Sequence, residues 1–377
     1  MNYKNAYIFT EDFAFVKGGF SVENGVFYDV LQEKEDAIDL QGAYVIPGLI
    51  DIHTHGNSGA DFSDGDVDGD LKMAKYLASV GVTSFAPATM TLPYETIAKA
   101  LAAGRQLRDA KPGEYGVIAR LLGAQMEGPF FSEKKKGAQN GAYLRLPDFA
   151  AFEKLQKESD GMILIADVAP ELEGAAEFAA RAKDYCTVSI AHTDAAYEDA
   201  KAAIDAGVSH LTHLYNAMPP IHHRKPGVIG AASENENVTA ELICDGIHVH
   251  PSSVRMAFRL FGAERFCLIS DSLRCCGMPD GEYELGGQQV FLKDNVARLE
   301  DGTIAGSATN LYDCMLNAVS FGISREDAIR AATYNPAREL RALDRVGSIR
   351  DGKFADFVIC DETLARKAVY ISGCKVE

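Results

Sequence analysis

The chain has 377 residues, of which 47% are hydrophobic and 24% are charged, and its formal net charge is -17. Such a composition is typical of a globular protein that buries a full core without disulfide staples. The acidic excess argues against nucleic acid and membranes as partners, because polyanions are bound by clustered Lys and Arg. All nine histidines lie between residues 53 and 250. We therefore expect the chemistry in the middle of the chain.

The cysteines and the N-terminus predict where the protein resides. The eight cysteines include no Cys-x-x-Cys pair, and most lie in apolar runs. This pattern favours free thiols in a reducing compartment. The first residues lack a basic stretch followed by an apolar core, and no apolar run approaches the ~20 residues that span a bilayer. The expected location is the cytoplasm.

Both ends of the chain have the pattern of short β-strands. Near the N-terminus these are residues 6–9, 13–16, 26–27 and 43–46, with turns between them. The C-terminal tail repeats the pattern at residues 345–349, 357–360 and 369–371. We expect residues 1–48 and 341–377 to form one small β-sandwich domain.

Residues 49–340 alternate short apolar runs with amphipathic helical stretches. The predicted strands are residues 48–52, 83–86, 119–126, 162–168, 187–191, 210–214, 239–244 and 266–270. The clearest helices between them are residues 70–80, 94–107, 173–183, 195–206 and 252–261. Eight such repeats predict an α/β fold, a (β/α)8 TIM-type barrel, rather than a doubly wound sheet. The Gly-rich dinucleotide fingerprint is also absent.

Several predicted strands end in residues that can bind a metal. His53 and His55 are two residues apart at the end of an apolar strand, so both project to the same side. Glu127 ends the third strand, where a carboxylate is either a metal ligand or a hydrogen-bond acceptor in the structure. His192 and His213 end two successive strands. One carboxylate with two imidazoles suits Zn²⁺, Fe²⁺ or Mn²⁺ with open positions for water and substrate.

The last predicted strand ends in Asp271. In isolation this residue could be a turn or helix-cap aspartate. Beside a metal cluster at the same face of a barrel, it fits a general base that takes a proton from water and later gives it to a leaving group.

These residues stand in longer motifs that resemble the amidohydrolase superfamily and, within it, the N-acetylglucosamine-6-phosphate deacetylase family. The motifs are PGLIDIHTHG (47–56), QMEGPFFSEKKKGAQ (125–139), AHT (191–193), THLYNAMPPIHHRKPG (212–227), ELICDGIHVHP (241–251), ISDS (269–272) and GMPDGEYELGG (277–287). The resemblance extends from about residue 40 to the end. It implies hydrolysis of an acetamide on an amino-sugar phosphate, with one or two divalent ions, most often zinc or iron.

The resemblance also implies roles for individual residues. The principal metal ligands would be Glu127, His192 and His213, and a second ion would be held by His53 and His55. Asp271 would be the catalytic acid and base, and His248 would contact the sugar and polarise the acetamide. The other substrate-binding positions would be Ala138, Gln139, Asn216, Ala217, Arg224, Ala305, Gly306 and Ser307.

Two departures and several alternatives stay open at this point. Gln139 stands where many members have His, and Ser272 follows the catalytic Asp where Ala is usual. His210 is expected to have a packing role. The relatives suggest a homodimer with pocket residues shared across its interface, to which His222, His223 and His250 would belong. Competing functions are a galactosamine-specific deacetylase, another amidohydrolase, or a non-catalytic scaffold that binds an amino-sugar phosphate.

Overall fold

The computed structural model describes all 377 residues, and both ends of the chain contribute to one seven-stranded mixed sheet. Its strands are β1 (Asn2–Phe9), β2 (Phe15–Glu23), β3 (Val26–Tyr28), β4 (Ile38–Pro47), β19 (Phe357–Cys360), β20 (Arg366–Ile371) and β21 (Cys374–Lys375). The spatial order is β21-β20-β19-β4-β1-β2-β3. Only the β1–β4 pair is parallel.

This sheet closes on itself around an aromatic core. Because β19 and β3 are four strands apart, a flat sheet would separate them by about 19 Å. The ring centroids of Phe27 and Phe357 are nevertheless 5.8 Å apart, and the Phe27 N–H donates to the carbonyl of Lys353 at 2.9 Å. The two ends of the chain therefore form a β-sandwich, as the sequence predicts.

The structure differs from the prediction at residues 345–349, which form a loop instead of a strand. Gly347 has a φ of +87°, and a Cβ there would lie 2.5 Å from the Cβ of Ala337. Val346 packs beneath the barrel, whereas Ile349 belongs to the core of the sandwich. The apolar character of this segment thus reflects packing against both parts of the molecule, not strand pairing.

The middle of the chain forms a parallel barrel of eight strands. They are β5 (Leu49–Asp51), β8 (Val82–Phe85), one strand in two successive segments, β9 (Arg120–Leu121) and β10 (Ala124–Met126), β11 (Ile163–Val168), β12 (Thr187–Ile190), β13 (His210–Leu211), β14 (Thr239–Ile243) and β15 (Phe266–Ile269). The last strand closes onto the first, since the Asp271 N–H donates to the His53 carbonyl at 2.9 Å. The predicted TIM-type barrel is confirmed.

Helices surround the barrel. They are α1 (Val67–Ser79), α2 (Tyr94–Arg108), α3 (Phe149–Glu158), α4 (Ala175–Ala182), α5 (Tyr197–Ala206), α6 (Gly227–Ser233), α7 (Pro251–Phe261), α8 (Leu311–Ser320), α9 (Arg325–Ala332) and α10 (Tyr334–Glu339). Their apolar faces and the outward faces of the strands bury the largest core of the protein, 72 residues. None of these helices has both the length and the apolar character to cross a membrane.

The barrel interior changes character along its axis. Its lower half is filled by branched aliphatic side chains such as Ile50, Ile165 and Ile243, as expected for a packed barrel core. Two hairpin elements extend the upper face. One is the short pair β6 (Gly56–Asn57) and β7 (Ala60–Asp61). The other is a three-stranded antiparallel sheet of β16 (Gly281–Leu285), β17 (Gln288–Lys293) and β18 (Val296–Leu299). This sheet was not predicted from the sequence.

Candidate active site

The six side chains predicted to carry the chemistry meet at the upper face of the barrel. They are His53, His55, Glu127, His192, His213 and Asp271. Each follows a barrel strand by one to four residues, and all six are buried. Because the carboxyl ends of parallel strands meet at one face, residues up to 218 positions apart converge in a single cluster.

Glu127 stands at the centre of the first candidate metal site. Its Oε1 lies 3.0 Å from Nε2 of His192 and 3.2 Å from Nε2 of His213. The two imidazole nitrogens are 3.2 Å apart. Tetrahedral ligands about 2.1 Å from a zinc ion would be about 3.4 Å apart. The three ligand atoms therefore have the spacing that a small divalent cation needs.

A second group lies against the first. His53 and His55 direct their Nε2 atoms at Oδ1 of Asp271, at 3.6 and 3.4 Å. The same nitrogens are 3.7 and 3.1 Å from the carboxylate of Glu127, which therefore lies between the two groups. Nε2 of His53 is buried without a hydrogen-bond partner. A buried lone pair of this kind is satisfied when it ligates a cation.

The backbone at three of these positions is unusual for residues other than glycine. His192, His213 and Asp271 have φ values of +43°, +32° and +49°. L-residues enter this left-handed region at a cost, and the strained positions cluster at functional sites. Each of the three follows its strand by two residues. The turn redirects the chain at the top of the barrel and places the side chain over its axis.

The charges of the cluster are strongly coupled. Burial alone would raise the pKa of Glu127, but His55, His192 and His213 hold it well below its usual range. Asp271 is likewise buried, and its pKa is lowered by His55 and His53. Both carboxylates are therefore ionised near neutral pH. Anionic carboxylates beside imidazole nitrogens form a donor set suited to a divalent cation of intermediate softness.

Three residues contact the ligands in ways that the sequence did not predict. The Gln139 side chain donates to Oε2 of Glu127 at 2.8 Å and accepts the Thr91 N–H at 2.7 Å. The carbonyl of Lys135 lies 2.9 Å from Nδ1 of His192, so this nitrogen must donate, which leaves Nε2 as the ligand atom. Glu241 lies 2.8 Å from Nδ1 of His53. Sequence motifs could indicate Gln139 only as a substrate contact, and Glu241, which begins the motif at residues 241–251, was assigned no role.

The cluster forms the floor of a cavity of about 330 Å³. The predicted residues that line it are His55, Glu127, Ala138, Gln139, His192, His213, Asn216, Ala217, His248, Gly306 and Asp271. Lys134 and Lys135 line its rim. A basic rim over a metal-type floor suits an anionic substrate with a reactive polar group.

His248 is held in place at the cavity wall. Its Nδ1 lies 2.6 Å from Oδ2 of Asp245, whose other oxygen accepts the backbone N–H of His248 at 2.9 Å. The Asp245 carboxylate can only accept, so Nδ1 donates to it. Nε2 is therefore left free at the cavity, where a polarising group would have to stand.

Three predicted substrate-binding residues do not line this cavity. Arg224 is exposed, and its Nη1 lies 2.7 Å from Nε2 of His223. Ala305 is buried in the core of the β16–β18 sheet. Ser307 donates from its Oγ to the Ser270 carbonyl at 2.6 Å and from its N–H to the Asp271 carbonyl at 2.7 Å. Within one subunit, Ser307 thus supports the strand end that carries Asp271.

Two histidines outside the cluster, His210 and His250, have structural partners. His210 is fully buried, 2.5 Å from Oγ1 of Thr239 and 3.3 Å from Oε1 of Glu241. His250 caps the N-terminus of α7, where its Nδ1 accepts the N–H of Ser252 at 3.1 Å. His210 therefore has the packing role expected of it, and His250 has a helix-capping role within its own subunit.

Comparison with known proteins places this geometry in a family. Residues 44–376 match the model of the amidohydrolase family. The N-acetylglucosamine-6-phosphate deacetylase of Bacillus subtilis (strain 168) is 41% identical over 317 residues, which cover 84% of this chain and 80% of the relative. The N-acetylgalactosamine-6-phosphate deacetylase of Escherichia coli O157:H7 is 36% identical over 329 residues, 87% of this chain and 86% of that protein.

A solved structure agrees with the sequence comparisons. It is that of a mutant N-acetyl-D-glucosamine-6-phosphate deacetylase from Mycobacterium smegmatis in complex with N-acetyl-D-glucosamine-6-phosphate. Its TM-score is 0.91 at 30% sequence identity, and the match covers 100% of this chain and 98% of that one. The barrel, the sandwich from both chain ends and the metal-type cluster are thus accounted for together, and the chain belongs to the amidohydrolase family.

Proposed function

We propose that this chain hydrolyses the acetamide of N-acetyl-D-glucosamine 6-phosphate to D-glucosamine 6-phosphate and acetate, in amino-sugar catabolism and cell-wall recycling. The observation that carries the proposal is the convergence of Glu127, His192 and His213 with Asp271 and His248 on one cavity. The Bacillus subtilis relative has this activity by name, and the Mycobacterium smegmatis structure holds this sugar phosphate.

The cation would be held by Glu127, His192 and His213, with a second ion at His53, His55 and Asp271. The closely spaced donor atoms and the unpartnered Nε2 of His53 support these assignments. A bound divalent cation supplies Lewis acidity and lowers the pKa of water, which amide hydrolysis near neutral pH requires. The mixed imidazole and carboxylate donors favour zinc or iron over a hard, all-oxygen cation.

Asp271 and His248 divide the proton transfer and the polarisation of the amide. Asp271 is held as the carboxylate by His55 and His53, so it can take a proton from the attacking water. It can then give that proton to the amine as the C–N bond breaks. His248, fixed through Asp245 by its Nδ1–H, would donate from Nε2 to the acetamide oxygen when its ring carries both hydrogens, because an oxygen that gains negative charge accepts hydrogen bonds.

The sugar and its phosphate would be bound at the open side of the cavity. Asn216, Ala217, Ala138 and Gln139 line the wall at this side, and the loop of residues 305–307 lies beside Asp271. Arg224 is exposed and does not line its own cavity, which favours a role in the pocket of a second subunit. A guanidinium binds phosphate in bidentate fashion, so one Arg supplies local positive charge in an acidic protein.

We further propose a cytoplasmic homodimer. Two apolar side chains on one face of α7, Met256 and Leu260, are 61% and 43% exposed, and Ile221 in the loop that carries Arg224 is 47% exposed. Exposed apolar groups near a functional loop favour a protein interface. Residues 1–48 and 341–377 are proposed as the sandwich domain and residues 49–340 as the catalytic barrel.

Release of acetate from N-acetyl-D-glucosamine 6-phosphate tests the proposal directly. Asp271→Asn should lower kcat by about 10²–10⁴-fold, because the amide can neither accept nor return the proton. Asp167→Asn is the matched control, since Asp167 is also a buried barrel carboxylate but bonds to Gln125 and Thr212. It should change kcat by less than about threefold.

Three outcomes would contradict the proposal. An Asp271→Asn variant that releases acetate at the normal rate would remove the proposed acid and base. Release of ammonia in place of acetate would indicate a different amidohydrolase reaction. Activity on N-acetylgalactosamine 6-phosphate distinguishes the proposed enzyme from a galactosamine-specific deacetylase, the activity named for the Escherichia coli relative. If kcat/KM were as high for that 6-phosphate as for the glucosamine one, the proposed specificity would be wrong.

A further inference from the structure

A buried carboxylate below the cavity is not used by any of the roles assigned above. Glu241 lies in the middle of β14, with its side chain directed into the barrel and fully buried. Its neighbours on the inward faces of the strands include Ile50 and Ile243. A charge in such surroundings is tolerated only when hydrogen bonds and ion pairs satisfy it. The partners of Glu241 therefore indicate the structural role of its buried carboxylate.

Each oxygen of Glu241 has a defined partner. Oε2 lies 2.8 Å from Nδ1 of His53 and accepts the backbone N–H of His213 at 3.1 Å. Oε1 lies 3.3 Å from Nε2 of His210. His53 belongs to the first barrel strand and His213 to the sixth. One side chain thus links the strand ends that carry a ligand of each candidate metal site.

The contact with Glu241 determines which nitrogen of His53 faces the cavity cluster. An ionised carboxylate only accepts, so Nδ1 must carry a hydrogen, and Nε2 is the nitrogen whose lone pair can ligate a cation. Nε2 is the atom that lies near Glu127 and Asp271 without a hydrogen-bond partner. A histidine whose far nitrogen donates to a carboxylate is the usual arrangement of a metal-bound imidazole, because the carboxylate fixes the ring and raises its basicity.

The two candidate sites differ in how their histidines are held. In the first site, Nδ1 of His192 donates to the carbonyl of Lys135, whereas Nδ1 of His213 has no partner. In the second site, Nδ1 of His55 also lacks a partner. His53 is therefore the one proposed ligand whose ring is oriented by a charged group. We expect the second site to depend on that group far more than the first.

Glu241 is itself held from below. His210, which bonds to its Oε1, lies 2.5 Å from Oγ1 of Thr239 and 3.8 Å from the carboxylate of Glu339 in α10. A buried polar row therefore runs from the base of the barrel to His53. Networks in which every member has a partner restrict each side chain to one position.

We propose that Glu241 is a positioning residue for the second cation: it fixes the His53 ring so that Nε2 completes the site formed with His55 and Asp271. This inference rests on the proposed function, because it requires an ion at His53. It assigns no contact with substrate to Glu241. Its effect is on the affinity of one ion and not on the proton transfer by Asp271.

Zinc binding to the full-length protein tests the inference. Zinc per chain is measured by elemental analysis after equilibration with a chelator that sets the free zinc concentration. The unmodified protein should fill two steps. Glu241→Gln, which keeps the shape but removes the charge, should move the weaker step to about 10–100-fold higher free zinc and leave the tighter step in place. Asp167→Asn, the matched buried carboxylate, should move neither step.

The comparison with His53→Ala separates the failure of this inference from the failure of the proposed site. His53→Ala should abolish the weaker step; if both steps survived, the second site would be wrong and the inference would fall with it. If His53→Ala removed the step but Glu241→Gln left it unmoved, only the inference would be overturned. Loss of both steps in Glu241→Gln would also contradict it, since that result would mean a general folding role.

Discussion

Asp70 is a buried carboxylate with no stabilising partner. It lies in the first turn of α1, is 1% exposed, and neither of its oxygens has a hydrogen-bond partner in the structure. Burial, followed by repulsion from Asp66, Asp61 and Asp64, raises its pKa to about 8. The folded chain therefore keeps this proton near neutral pH, although an aspartate in an unfolded chain loses it near pH 4.

Asp70 should make the stability of the fold depend on pH. Between about pH 4 and pH 8 the unfolded state binds fewer protons at this residue than the folded state, so the free energy of unfolding falls as pH rises through this window. Asp70→Asn removes the free-energy cost of ionising this buried carboxyl group. We expect the substitution to raise the free energy of unfolding by roughly 1–3 kcal/mol at pH 8 and by little at pH 4.

Denaturant unfolding at the two pH values measures this effect. Asp68→Asn is a suitable control, because Asp68 is exposed on the same helical turn. If Asp70→Asn raised the free energy of unfolding equally at pH 4 and pH 8, the pKa shift of Asp70 would not be the cause. The gain would then come from hydrogen bonds of the new amide.

Some residues of the site could be predicted from the sequence, and others could not. Five residues of the cluster could be predicted because each stands where an apolar strand ends, and the strand ends of a barrel share one face. They are His53, His55, Glu127, His192 and Asp271. Glu241 could not be selected in this way. It stands within a strand whose other residues are apolar or uncharged, and only the closed barrel brings its carboxylate to His53.

At the scale of elements, the β16–β18 sheet forms one side of the cavity. Leu285 at the end of β16 lines the cavity, and the sheet packs on Met90, Leu273 and Cys275 through a small apolar core. The Gln288 side chain donates to the carbonyl of Ala138 on the opposite loop. This sheet therefore holds the loop that carries two of the proposed substrate-binding residues.

Loss of the Gln288 contact should weaken substrate binding. Gln288→Ala removes one hydrogen bond worth about 0.5–1.5 kcal/mol, so KM should rise by about 2–10-fold while kcat changes little. Gln289→Ala is the matched control, since the neighbouring side chain bonds to Glu282 on the exposed face. Steady-state kinetics of the two variants would contradict this role if both raised KM equally or if only kcat fell in Gln288→Ala.

Elements with a strong local pattern could be predicted, whereas this sheet could not. Barrel strands such as β11 and β15 are short apolar runs bounded by polar turns, and the helices between them have one apolar face. In β16 and β17 most residues are polar and partly exposed. Their pairing depends on the turn at Gly286–Gly287, whose Gly-Gly pair is the only local hairpin signal, and on packing against the barrel, which a linear pattern does not reveal.

At the scale of the whole molecule, the proposed dimer makes a prediction for Met256. This side chain is 61% exposed on α7, and a charge there would be buried against the partner. Met256→Glu should convert the dimer to a monomer in analytical ultracentrifugation. KM should also rise at least about tenfold, because a phosphate contact from the partner subunit's Arg224 would be lost.

Two comparison variants identify the cause. Leu146→Glu, at another exposed apolar side chain, should leave both the mass and KM unchanged. Arg224→Ala should raise KM but keep the dimer. A monomeric Met256→Glu variant with normal KM would contradict the shared site, and a monomeric unmodified protein would contradict the dimer.

The class of the fold and the residues of the chemical cluster could be inferred from local sequence patterns. Eight alternating repeats predict a barrel, terminal strand patterns predict a second β domain, and the family match confirms both. The division at residues 48 and 340 stays a prediction. These features are local: the periodicity of a helix or strand and the residue at its end are visible in a short stretch of chain.

How those residues act together depends on the closed three-dimensional structure. Glu127 lies between the two candidate sites, Arg224 is exposed outside its own cavity, and residues 345–349 form a packed loop. Glu241 likewise lies against His53 across the barrel. The physical reason is common to all of these: each depends on contacts between segments far apart in sequence, which form only when the barrel and the sandwich close.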